Sequence, residues 1–99
     1  MTILFLTLKK EWFDEILNGT KTVEYREMKP YWKARLESGK QYDVVVFKNG
    51  YASNAPEMTV EYLGLGTKKI DGEKYYEIRL GKVLKTKNIS SRKRSVRQQ

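Results

Sequence analysis

The sequence predicts an α+β fold in which a small, strongly curved sheet or barrel is plugged at one end by a helix. Several short segments show the two-residue alternation of strands, and glycines mark the bends between them. One segment near the start has helical spacing instead. The chain has 99 residues, which is enough for one domain with a modest core. The same pattern also allows an open two-layer α+β sandwich.

The elements follow from local signals taken in chain order. Asp71-Gly72 is a typical hairpin turn, and Asn49-Gly50 ends the most apolar strand. Gly64 and Gly66 allow a bend or bulge inside a strand. The predicted strands are residues 3–8, 21–27, 42–47, 58–63 and 75–84. The predicted helices are residues 10–18 and a short one that begins at Pro30, a residue favoured at the first helical position.

The stretch from Gly19 to Arg26 organises the rest of the chain. The periodicity changes from helical to strand-like at Gly19, so a helix is expected to end there and a strand to follow at once. In that strand, Val23 and Tyr25 are expected to face the core. The opposite face would then carry three polar side chains, those of Thr22, Glu24 and Arg26, with Lys21 at the strand's start.

The positive charge is concentrated at the C-terminal end. The formal net charge is +8, but residues 1–81 carry a net charge of only +1. Residues 82–99 contain seven basic residues and no acidic one. We therefore expect a domain over residues 1–86 and a basic, disordered tail over residues 87–99 that attracts polyanions.

Composition removes several classes of chemistry. Cysteine and histidine are absent, which excludes disulfides, thiol catalysis and the commonest general base. No spacing typical of metal ligands is present, and we expect neither a metal nor another cofactor. No apolar run approaches the roughly 20 residues of a membrane span, and the start lacks the features of a signal peptide. A cytoplasmic protein is the default expectation.

Four residues carry a resemblance to a known family. Gly19, Lys21, Glu24 and Arg26 form a G-x-K-x-x-E-x-R arrangement, and K-P-Y-W follows closely. This motif, with the order of elements over residues 1–86, resembles the ASCH domain of the PUA-like superfamily. The resemblance implies a small PUA-like β-barrel of about five to six mostly antiparallel strands, with one main helix and one short helix. It also implies an RNA-binding cleft beside the first helix.

Some members of that family are hydrolases, and this sequence departs from their pattern. The members that deacetylate N4-acetylcytidine use a lysine and a threonine of the motif with a distant glutamate, and another member is a ribonuclease. Here Glu24 stands at the threonine position. Only a short hairpin around Asp71-Gly72 replaces the loop region that supplies the distant glutamate. Whether the chain is an enzyme is left open, with Lys21 and Glu24 as the catalytic pair if it is.

The predicted site combines charged and aromatic side chains. Arg26 can hold a phosphate or a base edge through two hydrogen bonds, while Lys21 supplies a point charge and Glu24 orients both cations or accepts a hydrogen bond. The alternative is a solvated ion-pair network of little energetic value. Tyr31 would stack on a base if exposed, whereas Trp12 and Trp32 are expected in the core. The remaining predicted contacts to nucleic acid are Lys48 and Asn49 at the rim and Arg92, Lys93 and Arg94 in the tail.

Three functions remain compatible with these features. The leading prediction is a module that binds RNA or a nucleotide through the polar cleft, assisted by the tail. The second is a hydrolase that acts on RNA or on a modified nucleoside. The third is an adaptor that binds protein through an exposed aromatic surface away from Lys21.

Overall fold

The protein folds as an α+β domain with a mixed five-stranded sheet and two helices, which confirms the predicted class. The structure is a computed structural model that describes residues 1–89. No helix within that range is long and apolar enough to cross a bilayer. The elements in chain order are β1 (Ile3–Thr7), α1 (Lys10–Leu17), β2 (Val23–Glu27), α2 (Pro30–Leu36), β3 (Val44–Lys48), β4 (Glu57–Ile70) and β5 (Glu73–Lys87).

The sheet has the strand order β1-β3-β4-β5-β2. Three of its ladders are antiparallel, and β1 pairs with β3 in parallel. Strands β1 and β2 are therefore the two edges, and no ladder joins them within residues 1–89. The sheet is not closed, so the barrel remains a prediction.

The long hairpin of β4 and β5 forms the centre of the sheet. Its turn has positive φ at both Asp71 and Gly72, as expected for this residue pair between strands that follow the usual twist. The register of the ladder shifts at three steps between Thr59 and Gly64, where the hairpin bends. Gly64 has a φ of 134°, which residues with a Cβ rarely adopt.

The core lies on one face of the sheet, beneath α1 and α2. Strand β5 contributes Tyr76, Ile78 and Leu80 at alternate positions, as its pattern predicted. Helix α1 contributes Phe13 and Ile16, which lie three residues apart on one side of the helix. The other buried members of the core cluster are Leu4, Leu6, Leu8, Leu36, Val45, Phe47, Met58 and Val60.

Two of the aromatic residues near the first two helices are exposed, and for one of them the sequence predicted burial. Trp12 was expected in the core but is 41% exposed, because Phe13 and Ile16 already fill the inward side of the short helix α1. Tyr31, which was expected to stack on a base if exposed, is exposed. Trp32 packs partly against the core, as Leu36 does more fully.

The C-terminal strand reaches further than its composition indicated. Lys87, which the sequence assigns to the tail, is the last residue of β5. Asn88 then donates a hydrogen bond from Nδ2 to the carbonyl of Ala55 at 3.3 Å, and Ile89 packs partly against the core. Arg92, Lys93 and Arg94 lie outside the described residues. The predicted disorder of the tail concerns these same residues and stays a prediction.

A buried tyrosine predicts how stability depends on alkaline pH. Burial of Tyr76 and the hydrogen bond that its hydroxyl donates to the Glu37 carboxylate raise its pKa to about 12. The pKa of an unfolded tyrosine is about 10. Because the folded state has the higher value, this group stabilises the fold below about pH 10, and the contribution is lost as the pH rises to about 12. We expect the urea midpoint to fall across that interval.

The Tyr76→Phe variant is the control for this titration, since it keeps the ring and removes the hydroxyl. Its urea midpoint should fall less steeply than that of the wild type above about pH 10. The urea midpoint of the variant will still depend on pH to some extent, because burial and the nearby Tyr42 also raise the pKa of Tyr62. Equal slopes in the two proteins would contradict the assignment to Tyr76.

Candidate functional site

The end of helix α1 fixes the position of Lys21. Gly19 has a φ of 87°, which lets the chain turn back at the helix end. The carbonyl of Glu15 then accepts hydrogen bonds from the backbone N–H groups of Thr20 and Lys21, at 2.9 and 3.0 Å. This turn returns Lys21 to the helix, so that its Nζ lies 5.3 Å from the centre of the Trp12 ring.

Strand β2 carries its polar residues on the face opposite to the predicted one. In its ladder with β5, Glu24 lies opposite Ile78 and Arg26 lies opposite Tyr76. Opposed residues of an antiparallel pair share a face, and both partners here are fully buried. Glu24 and Arg26 therefore point to the core side, and Tyr25 does not. The prediction was wrong because a charged pair that satisfies itself can occupy the core side of an edge strand.

Lys21, Glu24 and Arg26 meet as the motif predicted. Glu24 Oε2 accepts a hydrogen bond from Nε of Arg26 at 2.9 Å and lies 2.8 Å from Nη2 in an ion pair. Its other oxygen, Oε1, lies 3.6 Å from Lys21 Nζ. The exposed fractions of the Lys21, Glu24 and Arg26 side chains are 17%, 8% and 19%. The three form a mostly buried charge cluster, unlike a solvated surface network.

Arg26 also connects the two edges of the sheet. Its Nη2 donates to the backbone carbonyl of Thr7 in β1 at 3.0 Å, while the residue itself belongs to β2. The guanidinium carbon lies 5.1 Å from the centre of the Trp32 ring, which covers the group. Among the residues that the structure describes, no acceptor contacts the N–H groups of Nη1. Arg26 therefore keeps two donors for a ligand.

A pocket of about 250 Å³ opens at this seam between the sheet edges. Its wall combines the Arg26 guanidinium with a large aromatic surface. Three of the rings are well exposed: Phe5 is 64% exposed, Tyr31 is 55% and Tyr51 is 89%. The lining residues are Phe5, Thr7, Arg26, Tyr31, Trp32 and Tyr51. A donor set surrounded by exposed rings suits a flat molecule that has hydrogen-bond acceptors on its edge.

Helix α2 holds Tyr31 at the pocket by contacts on its ring. The guanidinium carbon of Arg35 lies 3.6 Å from the ring centre, and its Nη1 donates to the Tyr31 carbonyl at 3.2 Å. The rings of Tyr31 and Trp32 are nearly perpendicular, with a centroid distance of 4.7 Å. Arg35 covers one face of the ring, so a ligand can stack only on the other.

Some of the residues that the sequence assigned to the site line the pocket, and others do not. Arg26 and Tyr31 line the pocket, whereas Lys21 and Glu24 lie behind Arg26 and do not. Lys48 is the ladder partner of Thr7, and Asn49 donates its backbone N–H to Pro56 in the loop that follows. Both are neighbours of the pocket without lining it.

Three lining residues were missed by the sequence analysis. Phe5 lies in the predicted strand 3–8, where it alternates with the buried Leu4 and Leu6 and so points away from the core. Tyr51 follows the Asn49-Gly50 turn, and an aromatic residue in such a loop is a signal that could have been used. Thr7 contributes through its backbone carbonyl, which residue type does not reveal.

Within residues 1–89, no three Asp or Glu residues lie close enough together to hold a metal ion. Comparison with known proteins found no matching family model, no matching curated protein and no matching solved structure. Functional inference therefore depends on the pocket and the charge cluster themselves.

Proposed function

We propose that the chain is an ASCH-like module that binds single-stranded RNA or a nucleotide in the pocket at Arg26. The observation that carries the proposal is that one pocket is lined both by Arg26, which has unpaired donors, and by exposed aromatic rings. Single-stranded nucleic acids are bound by such combinations, since every base has a stacking face and a polar edge. The motif resemblance supports the same function, and with it a barrel-like sheet.

The charge cluster has a supporting part in this proposal. Glu24 accepts a hydrogen bond from Nε and forms an ion pair with Nη2, and the Thr7 carbonyl accepts a hydrogen bond from Nη2, so that the Arg26 guanidinium is held in place. Lys21 keeps the cluster at a net charge of +1, which favours an anionic ligand. A guanidinium that is already oriented loses less entropy when it binds.

A hydrolase remains the second candidate, and the proximity of its two reactive residues favours it. Lys21 Nζ and Glu24 Oε1 lie 3.6 Å apart, slightly beyond the roughly 2.6–3.2 Å at which a reactive pair exchanges a proton. Neither residue lines the pocket, however, and Arg26 already holds the other Glu24 oxygen. Product release from labelled RNA or from N4-acetylcytidine would favour this candidate over simple binding.

The basic tail is expected to strengthen binding without choosing the ligand. We expect the full chain to bind a fluorescent single-stranded RNA at low salt, with an affinity that falls as salt rises. Changing Arg92, Lys93 and Arg94 to Gln should weaken binding. It should also reduce the slope of log K against log salt by about 0.7 for each phosphate that the tail no longer neutralises. Fluorescence anisotropy across a salt series measures both quantities.

A matched variant distinguishes the effect of the tail on RNA binding from the effect of losing the same positive charge elsewhere. Lys68, Lys69 and Lys74 lie near the hairpin turn, outside the pocket lining. Their triple Gln variant removes the same charge and should retain more of the salt dependence than the tail variant. Absence of RNA binding by the wild type at low salt would overturn the proposed function.

A further inference from the structure

The unpaired N–H donors of Arg26 restrict the kind of base that the pocket can accept. Nε and Nη2 are occupied by Glu24 and by the Thr7 carbonyl, at 2.8–3.0 Å. The N–H groups of Nη1 have no acceptor in the described part of the chain. They belong to a side chain that is only 19% exposed and whose guanidinium is covered by Trp32. A mostly buried donor of this kind is costly to leave unpaired when a ligand excludes water.

We propose that the pocket selects a nucleobase with a ring carbonyl, to which Arg26 donates from Nη1 while the base lies against Tyr31 or Tyr51. This inference rests on the proposed function and specifies the ligand of the same site. Uracil, guanine and cytosine have such an oxygen, and adenine does not. Adenine has a donor amino group where guanine has its carbonyl, so only its ring nitrogens could accept from Nη1, and they would bring the amino group close to the cation.

The size of the pocket supports a single base as the unit that is recognised. Its volume of about 250 Å³ lies at the lower limit of ligand sites and is too small for two stacked bases with their sugars. Arg35 covers one face of Tyr31, which leaves one stacking position on that ring. The base must therefore leave the stack of its own strand before it enters.

Two RNA hexamers test the inference through one functional group of the ligand. Both consist of adenosine except at one central position, which is inosine in one and purine riboside in the other. These two bases differ by the carbonyl oxygen of inosine and the ring proton that accompanies it. We expect the inosine hexamer to bind the wild-type protein about tenfold more tightly, the usual effect of one hydrogen bond to a charged donor.

An arginine variant then assigns the preference to Arg26. Arg26→Lys keeps a cation for Glu24 but lacks a second terminal nitrogen, so the preference for inosine should fall below about twofold. Arg79→Lys is the matched control, because Arg79 pairs with Glu77 at 3.0 Å away from the pocket. The control should keep the full preference. The ligand pair tests the inference on the wild type even if Arg26→Lys fails to fold.

The outcomes distinguish this inference from the proposed function. Equal binding of the two hexamers would overturn the carbonyl preference and leave RNA binding intact. Binding of neither hexamer, together with no binding of a uridine hexamer at low salt, would overturn both. A preference that persists in a folded Arg26→Lys variant would show that another group contacts the carbonyl, which also contradicts the inference.

Discussion

Replacing Glu24 by Gln should lower the free energy of unfolding by about 3 kcal/mol. The carboxylate is the anion of a cluster in which Lys21 and Arg26 are also mostly buried. Without it, two positive charges remain close together with little water to screen them. A single domain of this size is stable by only about 5–15 kcal/mol, so the loss would be a large fraction of the total. Urea unfolding followed by tryptophan fluorescence measures it.

The same strand supplies a matched control. Glu27 also belongs to β2 and lies 3.3 Å from Lys29, but both side chains are more than half exposed. Glu27→Gln should therefore change the unfolding free energy by less than about 1 kcal/mol. If Glu24→Gln cost no more than Glu27→Gln, the cluster would behave as an ordinary solvated ion-pair network, and its role in fixing Arg26 would have to be abandoned.

Replacing Tyr31 and Tyr51 together by Ala should cause the largest loss of RNA affinity. A ring that stacks on a base contributes about 1–3 kcal/mol, so removing both tyrosines that could provide the stack should weaken binding by about tenfold or more. Both side chains are mostly exposed. Their removal should therefore change thermal stability little, since surface substitutions usually alter stability by about 0.5 kcal/mol or less. Anisotropy titrations and melting curves on the same samples separate the two effects.

An exposed leucine controls for the general loss of apolar surface. Leu63 is 63% exposed and does not line the pocket, so Leu63→Ala should leave RNA affinity unchanged. A double tyrosine variant that folds normally and binds RNA as tightly as the wild type would place the binding surface elsewhere. An equal loss in Leu63→Ala would indicate non-specific hydrophobic association.

Most of the secondary structure could be predicted from the sequence, because it depends on short-range signals. The switch at Gly19 depends on a positive φ that glycine adopts readily, and the Asp71-Gly72 turn has the same basis. The alternation in β5 indicated the correct buried residues, because the period of a strand is fixed by its geometry. The meeting of Lys21, Glu24 and Arg26 followed from their spacing together with the family resemblance.

The face of β2 could not be predicted from its own residues. Its alternation of apolar and charged residues indicated that Val23 and Tyr25 were buried, yet Glu24 is the buried residue. Which side of an edge strand meets the core depends on its pairing with β5, and local periodicity does not contain that information. The cost of burying Glu24 is offset by its contacts with Arg26 and Lys21, which are visible only in three dimensions.

Local signals along the chain were sufficient for the order of the elements, their turns and the residues of the charge cluster. The packed domain was needed to show that Arg26 joins two sheet edges and lines one pocket together with Phe5, Tyr31 and Tyr51. These residues come from a strand, a helix and a loop that are far apart in the chain. The pocket exists because the ends of the sheet approach each other, and that approach is a property of the domain as a whole.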